Sequence, residues 1–386
     1  MIVHLLGIGI LLFWLGVAAT IERTRRSLTW RLGPEAPVDL PLPAVQVIIP
    51  ARDEATNIGD CVRAVAASDH PALEILVFDD ASSDTTAALA TAAGARVLQA
   101  PGGGVLPEGW KGKPWALWRA TRDADAPWLL FLDADVRVSP GAISRAHTYA
   151  LREEADFLSG FGRLVMGSFW ENVIQPSVGG LILAGNNLDR VNAPGRPEDL
   201  IANGQFILVR RAVYEAAGGH AAVRADILDD VGLARAVHRV GGKVRVVFMR
   251  ELFSCRMYTS LRELWLGWTK NLYAGMHHRL GSVLFLAGFV AFEFILPYLF
   301  LPVGLVVGDG ALIGWGLGLV TVIQLVRLRM DGLFGQDKRY GLLQVLGASC
   351  LIGLLLDSAR RSRAGSVIWK GRRYTVGKDE DTLRTG

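Results

Sequence analysis

Cysteine is scarce in this chain, with Cys61, Cys255 and Cys350 the only three in 386 residues. They are odd in number, widely separated and form no Cys-x-x-Cys pair. That pattern excludes a disulfide framework or a structural zinc and suits a reducing cytoplasm. No glycine and lysine spacing fits a Walker loop, which excludes a P-loop NTPase. Charge is sparse too, at 20% of residues with a formal net charge of +4. The excess cations lie beside apolar segments, a pattern that suits anionic lipid headgroups and argues against a nucleic-acid partner. What the chain has in quantity is apolar surface. It is 51% hydrophobic with mean hydropathy +0.30, too apolar for an ordinary soluble protein.

The apolar residues are concentrated in a few stretches. Residues 1–21 form the first, where Ile2 to Ile21 carry no charge beyond the titratable His4 and are long enough to span about 30 Å of hydrocarbon. Arg23, Arg25, Arg26 and Arg31 follow this run, whereas a cleavable signal peptide carries its cations in front. The expectation is an anchor with its N-terminus outside and the remainder cytoplasmic. Residues 22–43 read as a basic, proline-rich linker, and 44–258 as a globular domain. In 259–280 the Trp- and Leu-rich run Leu261 to Met276, with Arg262, Lys270, His277 and His278, suits an interfacial amphipathic helix. Within a membrane region at 281–357, Ser282 to Gly308 and Ala311 to Val326 cross and return around an Asp309-Gly310 bend, with Glu293 their only charge. Arg327, Arg329, Lys338 and Arg339 mark the cytoplasmic side. Tyr340 to Leu356 is expected to be re-entrant or interfacial. A crossing there would carry Arg360, Arg361, Arg363, Lys370, Arg372 and Arg373 of the basic tail, 358–386, to the outside.

The globular domain is organised around Trp128 to Val136, an apolar run that stops at Asp133 and Asp135. Trp128 to Leu132 reads as a buried strand of a parallel sheet, which puts both acids at its carboxyl end, where open α/β sheets bind ligands. Two such carboxylates about 6 to 7 Å apart repel by on the order of 2 to 3 kcal/mol at an effective dielectric of about 20. A cation belongs between them, and a hard divalent ion that also takes substrate phosphates fits. Earlier, Val45 to Pro50, Leu73 to Phe78 and Arg96 to Gln99 are strands alternating with helices, the pattern of βαβ units. Asp79-Asp80 ends the second of these, and Ser82, Ser83 and Asp84 offer caps for the next helix.

Lys111 and Lys113 stand at the start of a helix running through Ala124, near its positive end and well placed for phosphate. Farther on, Ile201 to Arg210 is strand-like and Arg211 to Ala217 helical. Asp229 and Asp230 open another helix whose dipole favours their ionised forms.

Asp79-Asp80, Lys113 in Gly-Lys-Pro-Trp-Ala, Asp133-Ala-Asp135, the Gly204-Gln205-Phe206 block and Asp229-Asp230-x-x-Leu-x-x-Arg235 occur in that order between Val45 and Met276. Together they resemble family-2 glycosyltransferases of the GT-A fold. The C-terminal half, including Val367 to Tyr374, resembles the membrane-anchored branch that glycosylates lipids, such as hopanoid-associated, carotenoid-acid and ceramide glycosyltransferases. The resemblance implies an α/β catalytic domain with a Rossmann-like, mostly parallel sheet, flanked by N-terminal and C-terminal transmembrane helices at the inner membrane.

By the same resemblance Pro50, Ala51, Arg52, Glu54, Asp79, Asp80, Lys113, Asp133 and Ala134 bind the nucleotide sugar, expected to be a UDP-sugar. Asp135 and Asp133 hold Mg²⁺ or Mn²⁺, and Asn203, Gly204 and Gln205 line the sugar pocket. Asp230 is the implied general base. The family has Glu-Asp where this chain has Asp229-Asp230, so Asp229 stays a second candidate. Diphosphate is a good leaving group once a metal neutralises it, so one base with in-line attack suffices and implies inversion. The Gln-x-x-Arg-Trp run of processive synthases is replaced by Leu264 to Trp268, which points to single-sugar transfer to a lipid. A polysaccharide synthase and a catalytically degenerate membrane scaffold are the alternatives.

Overall fold

A computed structural model describes residues 1–26, 30–184, 186–193, 195–365, 367–369 and 372–374. The expectations for linker residues 27–29 and for the tail at 375–386 lie outside the described residues. The chain divides into two compact units: Trp30–Val165 with Asn186–Met257, and Met1–Thr29 with Met166–Gly185 and Tyr258–Gly386.

The first unit is α/β. Its strands are β1 (Val45–Ala51), β2 (Leu73–Asp79), β3 (Arg96–Gln99), β4 (Trp128–Leu132), β5 (Val136–Val138), β6 (Phe157–Phe161), β7 (Arg163–Leu164), β8 (Phe206–Arg210), β9 (Val244–Phe248) and β10 (Phe253–Cys255). Its helices are α2 (Ile58–Ala66), α3 (Thr86–Ala92), α4 (Gly112–Thr121), α5 (Ala142–Arg152), α7 (Leu188–Asn192), α8 (Arg211–Ala216) and α9 (Asp229–Arg239). Seven strands make one sheet in the order β3-β2-β1-β4-β8-β6-β9. β1 pairs parallel with β2 and β4, whereas β8 runs antiparallel to β4 and β6. The chain moves outward from β1 to β3 and then returns to the other side of β1, so the order reverses between β1 and β4. Ligands bind beyond the carboxyl ends of strands at such a reversal.

The apolar pattern accounts for this sheet. Trp128, Leu130 and Leu132 of β4 face one core with Val47 and Ile49, while Leu129 and Phe131 face the other with Ile48. Both faces are thus covered, as a near-continuous apolar strand requires. A side chain such as Leu130, fully buried there, is worth about 1.5–3 kcal/mol in removal from water. A smaller sheet, β5-β10-β7, pairs Cys255 with Val136.

The second unit is helical: α1 (Ile2–Arg26), α6 (Phe169–Ala184), α10 (Leu261–Gly275), α11 (Leu280–Val290), α12 (Leu296–Val307), α13 (Gly310–Phe334) and α14 (Gln344–Arg363), with a hairpin of β11 (Val367–Trp369) and β12 (Arg372–Tyr374). Among the described residues four stretches, Ile2–Glu22, Leu280–Val307, Gly310–Phe334 and Lys338–Arg363, are helices long and apolar enough to cross a membrane. A π turn at Ala291–Ile295 joins α11 to α12, and the Trp14 indole donates to the carbonyl of Glu293 within it at 3.1 Å. Asp309 caps α13 by accepting the amides of Ala311 and Leu312, which makes the expected bend. α10 packs against α14: the Ser358 hydroxyl donates to the Thr269 carbonyl, and the Trp265 indole donates to Asp357.

Candidate active site

The carboxyl ends of β1 and β2 open into two loops that fasten each other. Asp53 has a positive φ of 51°, a conformation an aspartate tolerates better than most residues. Its amide donates to the Ser82 hydroxyl at 3.0 Å, and its carboxylate accepts the Ser83 amide at 2.7 Å. The Glu54 amide donates to Thr86, the Ala55 amide to Asp84, and the Arg52 guanidinium to the Asp80 carbonyl at 2.7 Å. Of the expected caps only Asp84 serves α3, by accepting the Thr86 amide. Ser82 and Ser83 instead bridge to Asp53, because the tight turn at Ala81 (φ 55°) carries them toward the β1 loop. Pro50 and Ala51 lie within β1, and the Ala51 carbonyl accepts the Asp80 amide at 2.8 Å. Asp79 is buried, and its Oδ1 has no hydrogen-bond partner among the described residues. A buried acceptor without a donor is costly unless a ligand supplies one.

At the end of β4 the cation expected between the two acids is partly supplied by the chain itself. Lys113 Nζ lies 2.5 Å from Asp133 Oδ1, delivered from the first turn of α4. Burial opposes the lysine's charge, but Asp133, Asp229 and Asp230 outweigh it and raise its pKa. Asp135 has no such neighbour. Its Oδ1 is buried and unpartnered, and burial, then Asp133 and Glu54, push its pKa up to about 7. A carboxylate in this condition fits a cation ligand, so Asp135 with Asp133 is the place where a divalent ion would be held. Ala134 between them is buried in the core. Among the described residues no cluster of three or more His, Cys, Asp or Glu side chains forms a complete metal cage. The remaining ligands would come from substrate oxygens and water.

The loop before β8 closes the site from the other side. The structure begins that strand at Phe206 rather than Ile201, because Asn203 uses its hydrogen bonds to fold the loop. Its amide nitrogen donates to the Gly160 carbonyl at 2.8 Å and to Gln205, and its backbone amide donates to Ser159. Gly204 then sits between Lys113 and Asp230. Its carbonyl is 3.4 Å from Lys113 Nζ and its amide donates to Asp230 at 2.9 Å. A Cβ here would stand 3.1 Å from Lys113 Nζ and 3.3 Å from Asp230 Oδ2, tight enough to favour glycine. Asp230 also accepts the Val231 amide at 2.9 Å. Burial, then Asp229, push its pKa up to about 6 against the pull of Lys113 and these two amides. Asp229 has no side-chain hydrogen bond among the described residues, so the two acids differ in order as well as position.

These loops therefore bring together Asp135 with its unpartnered Oδ1, a lysine-bound Asp133 and a carboxylate positioned by two amides. Residues 46–218 match the family described as glycosyl transferase family 2. The chain carries a family 2 glycosyl transferase domain. A 4,4'-diaponeurosporenoate glycosyltransferase of Staphylococcus aureus strain MRSA252 is 27% identical over 238 residues, 60% of this chain and 61% of that protein. The same relative from strain USA300 aligns over the same shares. The match spans about three fifths of these relatives' length. Among solved structures, a mannosyltransferase of Pyrobaculum calidifontis in complex with GDP-Man and Mn²⁺ has TM-score 0.55 at 16% identity, over 93% of this chain and 98% of that one. That likeness establishes the GT-A fold.

Two neighbours of the family 2 site were not legible in the sequence. Pairing of β10 with β5 brings the Cys255 thiol against Asp135, where burial and then that carboxylate keep it protonated well above its ordinary range. The Cys61 thiol donates to the Asp133 carbonyl at 3.6 Å. Neither cysteine has a local signal, because each reaches the site only through long-range pairing.

Proposed function

We propose that this protein is an inverting glycosyltransferase that moves one sugar from a nucleotide-diphosphate sugar, a UDP-sugar in the first instance, to a lipid acceptor at the cytoplasmic face of the inner membrane. The observation that carries the reading is the chain of contacts from Asp133 through Lys113 and Gly204 to Asp230. It joins a diphosphate-side carboxylate to a positioned base. Asp79, with its free buried acceptor, is suited to a base N–H of the nucleoside. Arg52 and Glu54, fixed by the β2 loop, border the same strand end. Asp230 accepts the proton of the acceptor hydroxyl as that oxygen bonds to the sugar's C1. The bond from C1 to the diphosphate breaks, and its electron pair leaves with the nucleotide. A bound Mg²⁺ or Mn²⁺ would supply neutralisation of the charge developing on the diphosphate. With one base and in-line attack, the configuration at C1 inverts.

The membrane part of the reading is supported by four helices of spanning length and by a relative named for a carotenoid acid. The test is expression of the full chain in a host lacking glycolipids, followed by lipid extraction and mass spectrometry. A new lipid carrying one hexose, absent in Asp230→Asn, is the expected result. Transfer only to soluble acceptors, or products carrying several sugars, would overturn the lipid or the single-transfer part.

A further inference from the structure

Beside the site, α4 carries a feature that transfer chemistry does not use. Ala116, Leu117 and Ala120 of this helix are buried against the sheet. On its other side Lys111, Trp115, Trp118 and Arg122 follow one another at spacings of four, three and four residues, so they line a single stripe. Trp110 folds back onto it, with ring centroids 5.2 Å from Trp115 and 5.1 Å from Trp118, and Trp115 stacks on Trp118 at 5.3 Å. The Arg122 guanidinium lies 5.1 Å from the Trp118 ring. All three indoles are half-buried rather than enclosed, and none of their N–H groups donates to a protein group among the described residues. The preceding loop presents Val105 at 78% exposure.

We propose that this tryptophan platform is a membrane-docking face of the α/β unit, seated at the headgroup level of an anionic bilayer. Stacked indoles with apolar bodies and accessible polar edges are what the interface between headgroups and acyl chains selects. The charge agrees. The stripe contains Lys111 and Arg122 and no acid, and Arg119 and Arg224 adjoin it, Arg224 through its carbonyl accepting the Lys111 amide. Arg119, Arg122 and Arg224 have no ion-pair partner among the described residues. Cations flanking aromatics on one helix face are the pattern of an interfacial helix attracted to anionic lipid. The inference goes beyond the transferase reading and does not require it.

The full-length protein in nanodiscs of phosphatidylcholine, with or without phosphatidylglycerol, provides the test. A fluorophore is attached at Trp118→Cys in a Cys350→Ser background, Cys61 and Cys255 being buried. Quenching by nitroxide-bearing lipid should exceed quenching by aqueous iodide severalfold in discs with phosphatidylglycerol. That excess should shrink at high salt and in Arg119→Glu/Arg122→Glu. Iodide quenching that dominates in both lipids would overturn the proposal, as the platform would face water. Protection from both quenchers whatever the lipid would also overturn it, because protein would be covering the face. Protection that appears only on adding UDP-sugar would overturn it in favour of a ligand subsite. If the Trp118 variant does not fold, a label at exposed Arg122→Cys gives the same comparison.

Discussion

Lys113 and Asp133 form an ion pair of 2.5 Å, and the same ammonium reaches the carbonyl of the residue whose amide holds Asp230. Lys113 pulls the pKa of Asp230 down, toward the ionised form a base needs. Removing it should therefore move that pKa above about 6 and displace the acid limb of kcat/KM to higher pH. Lys113→Met should show the displacement and Lys113→Arg, which keeps the charge, a smaller one. A pH–rate profile that does not move in Lys113→Met would separate the lysine from the base.

Asp135→Asn should remove metal-dependent binding of nucleotide diphosphate. The amide keeps the shape but lacks the charge that a carboxylate with one buried, unpartnered oxygen offers a cation. Changes one shell away from a metal cost about 10- to 100-fold in affinity, so loss of a ligand should cost at least that. Calorimetric titration of UDP with and without Mn²⁺ measures it, and equal affinities for the variant and the parent would take Asp135 out of the metal site.

Asp230→Asn should leave donor binding within a few-fold and lower turnover by on the order of 10² to 10⁴, the usual worth of a positioned base. Asp229→Asn should be milder, since no amide fixes its carboxylate. Comparing kcat and the dissociation constant of UDP for both variants distinguishes them. A larger loss at Asp229 would shift the base by one residue.

The main strands and the acids at their ends were legible because each rests on a local signal: an apolar run cut off by carboxylates, or a helix opened by Asp229-Asp230. The Lys113 and Asp133 pair was not, since 20 residues and a whole helix separate the two. Taken locally, Lys113 suits a phosphate and Asp133 an external ion, and only the packing of α4 on the sheet brings them together. The loop at Asn203 resembles strand in sequence for a related reason. Its residues suit an extended chain, and only the distant Ser159 and Gly160 give its backbone other partners. Antiparallel β8 likewise left no mark, because apolar residues alternate alike in either direction.

The α/β unit should lose stability as pH falls below about 6.5, the ordinary histidine value. His70 and His147 face each other at 3.1 Å, and the Ala72 amide donates to His70 Nδ1. His70 must then donate from Nε2 to His147 Nδ1, and a second proton would set two donors against each other. Burial, then His70 and Arg210, hold the pKa of His147 down to about 3, and burial does the same for His220. The unfolded chain therefore takes up protons between about pH 6.5 and 3 that the folded one refuses, and stability is lost through that window. Thermal unfolding in detergent, followed by a thiol dye reaching Cys61 and Cys255, should show a midpoint at pH 5 below that at pH 7.5. His147→Gln should narrow the gap. An equal gap in the variant would place the acid sensitivity elsewhere.

The last prediction concerns α14, whose apolar length permits a crossing while its flanking cations oppose one. In the helical unit, His4 accepts the Trp315 indole at 3.0 Å and Arg329 pairs with Glu22 at 3.0 Å. These contacts join start to start and end to end, so α1 and α13 run parallel and finish on the same side. By the positive-inside rule, the basic residues that end α1 and α13 would put that side in the cytoplasm. α14 begins beside this end, where Arg327 donates to Gln344 at 2.6 Å. It finishes against α10, with Ser358 accepting the Tyr273 amide at 3.0 Å, only a few residues before α11 begins. If α11 and α12 lead out and α13 leads back, both anchors of α14 would fall on that same side. The helix should lie along that interface, with Arg360, Arg361 and Arg363 inside. A cysteine at Ser366, which lies outside the described residues, in a variant without native cysteines should resist an impermeant maleimide in intact cells. It should react after lysis. Strong labelling of intact cells would mean that α14 crosses and that the tail is outside.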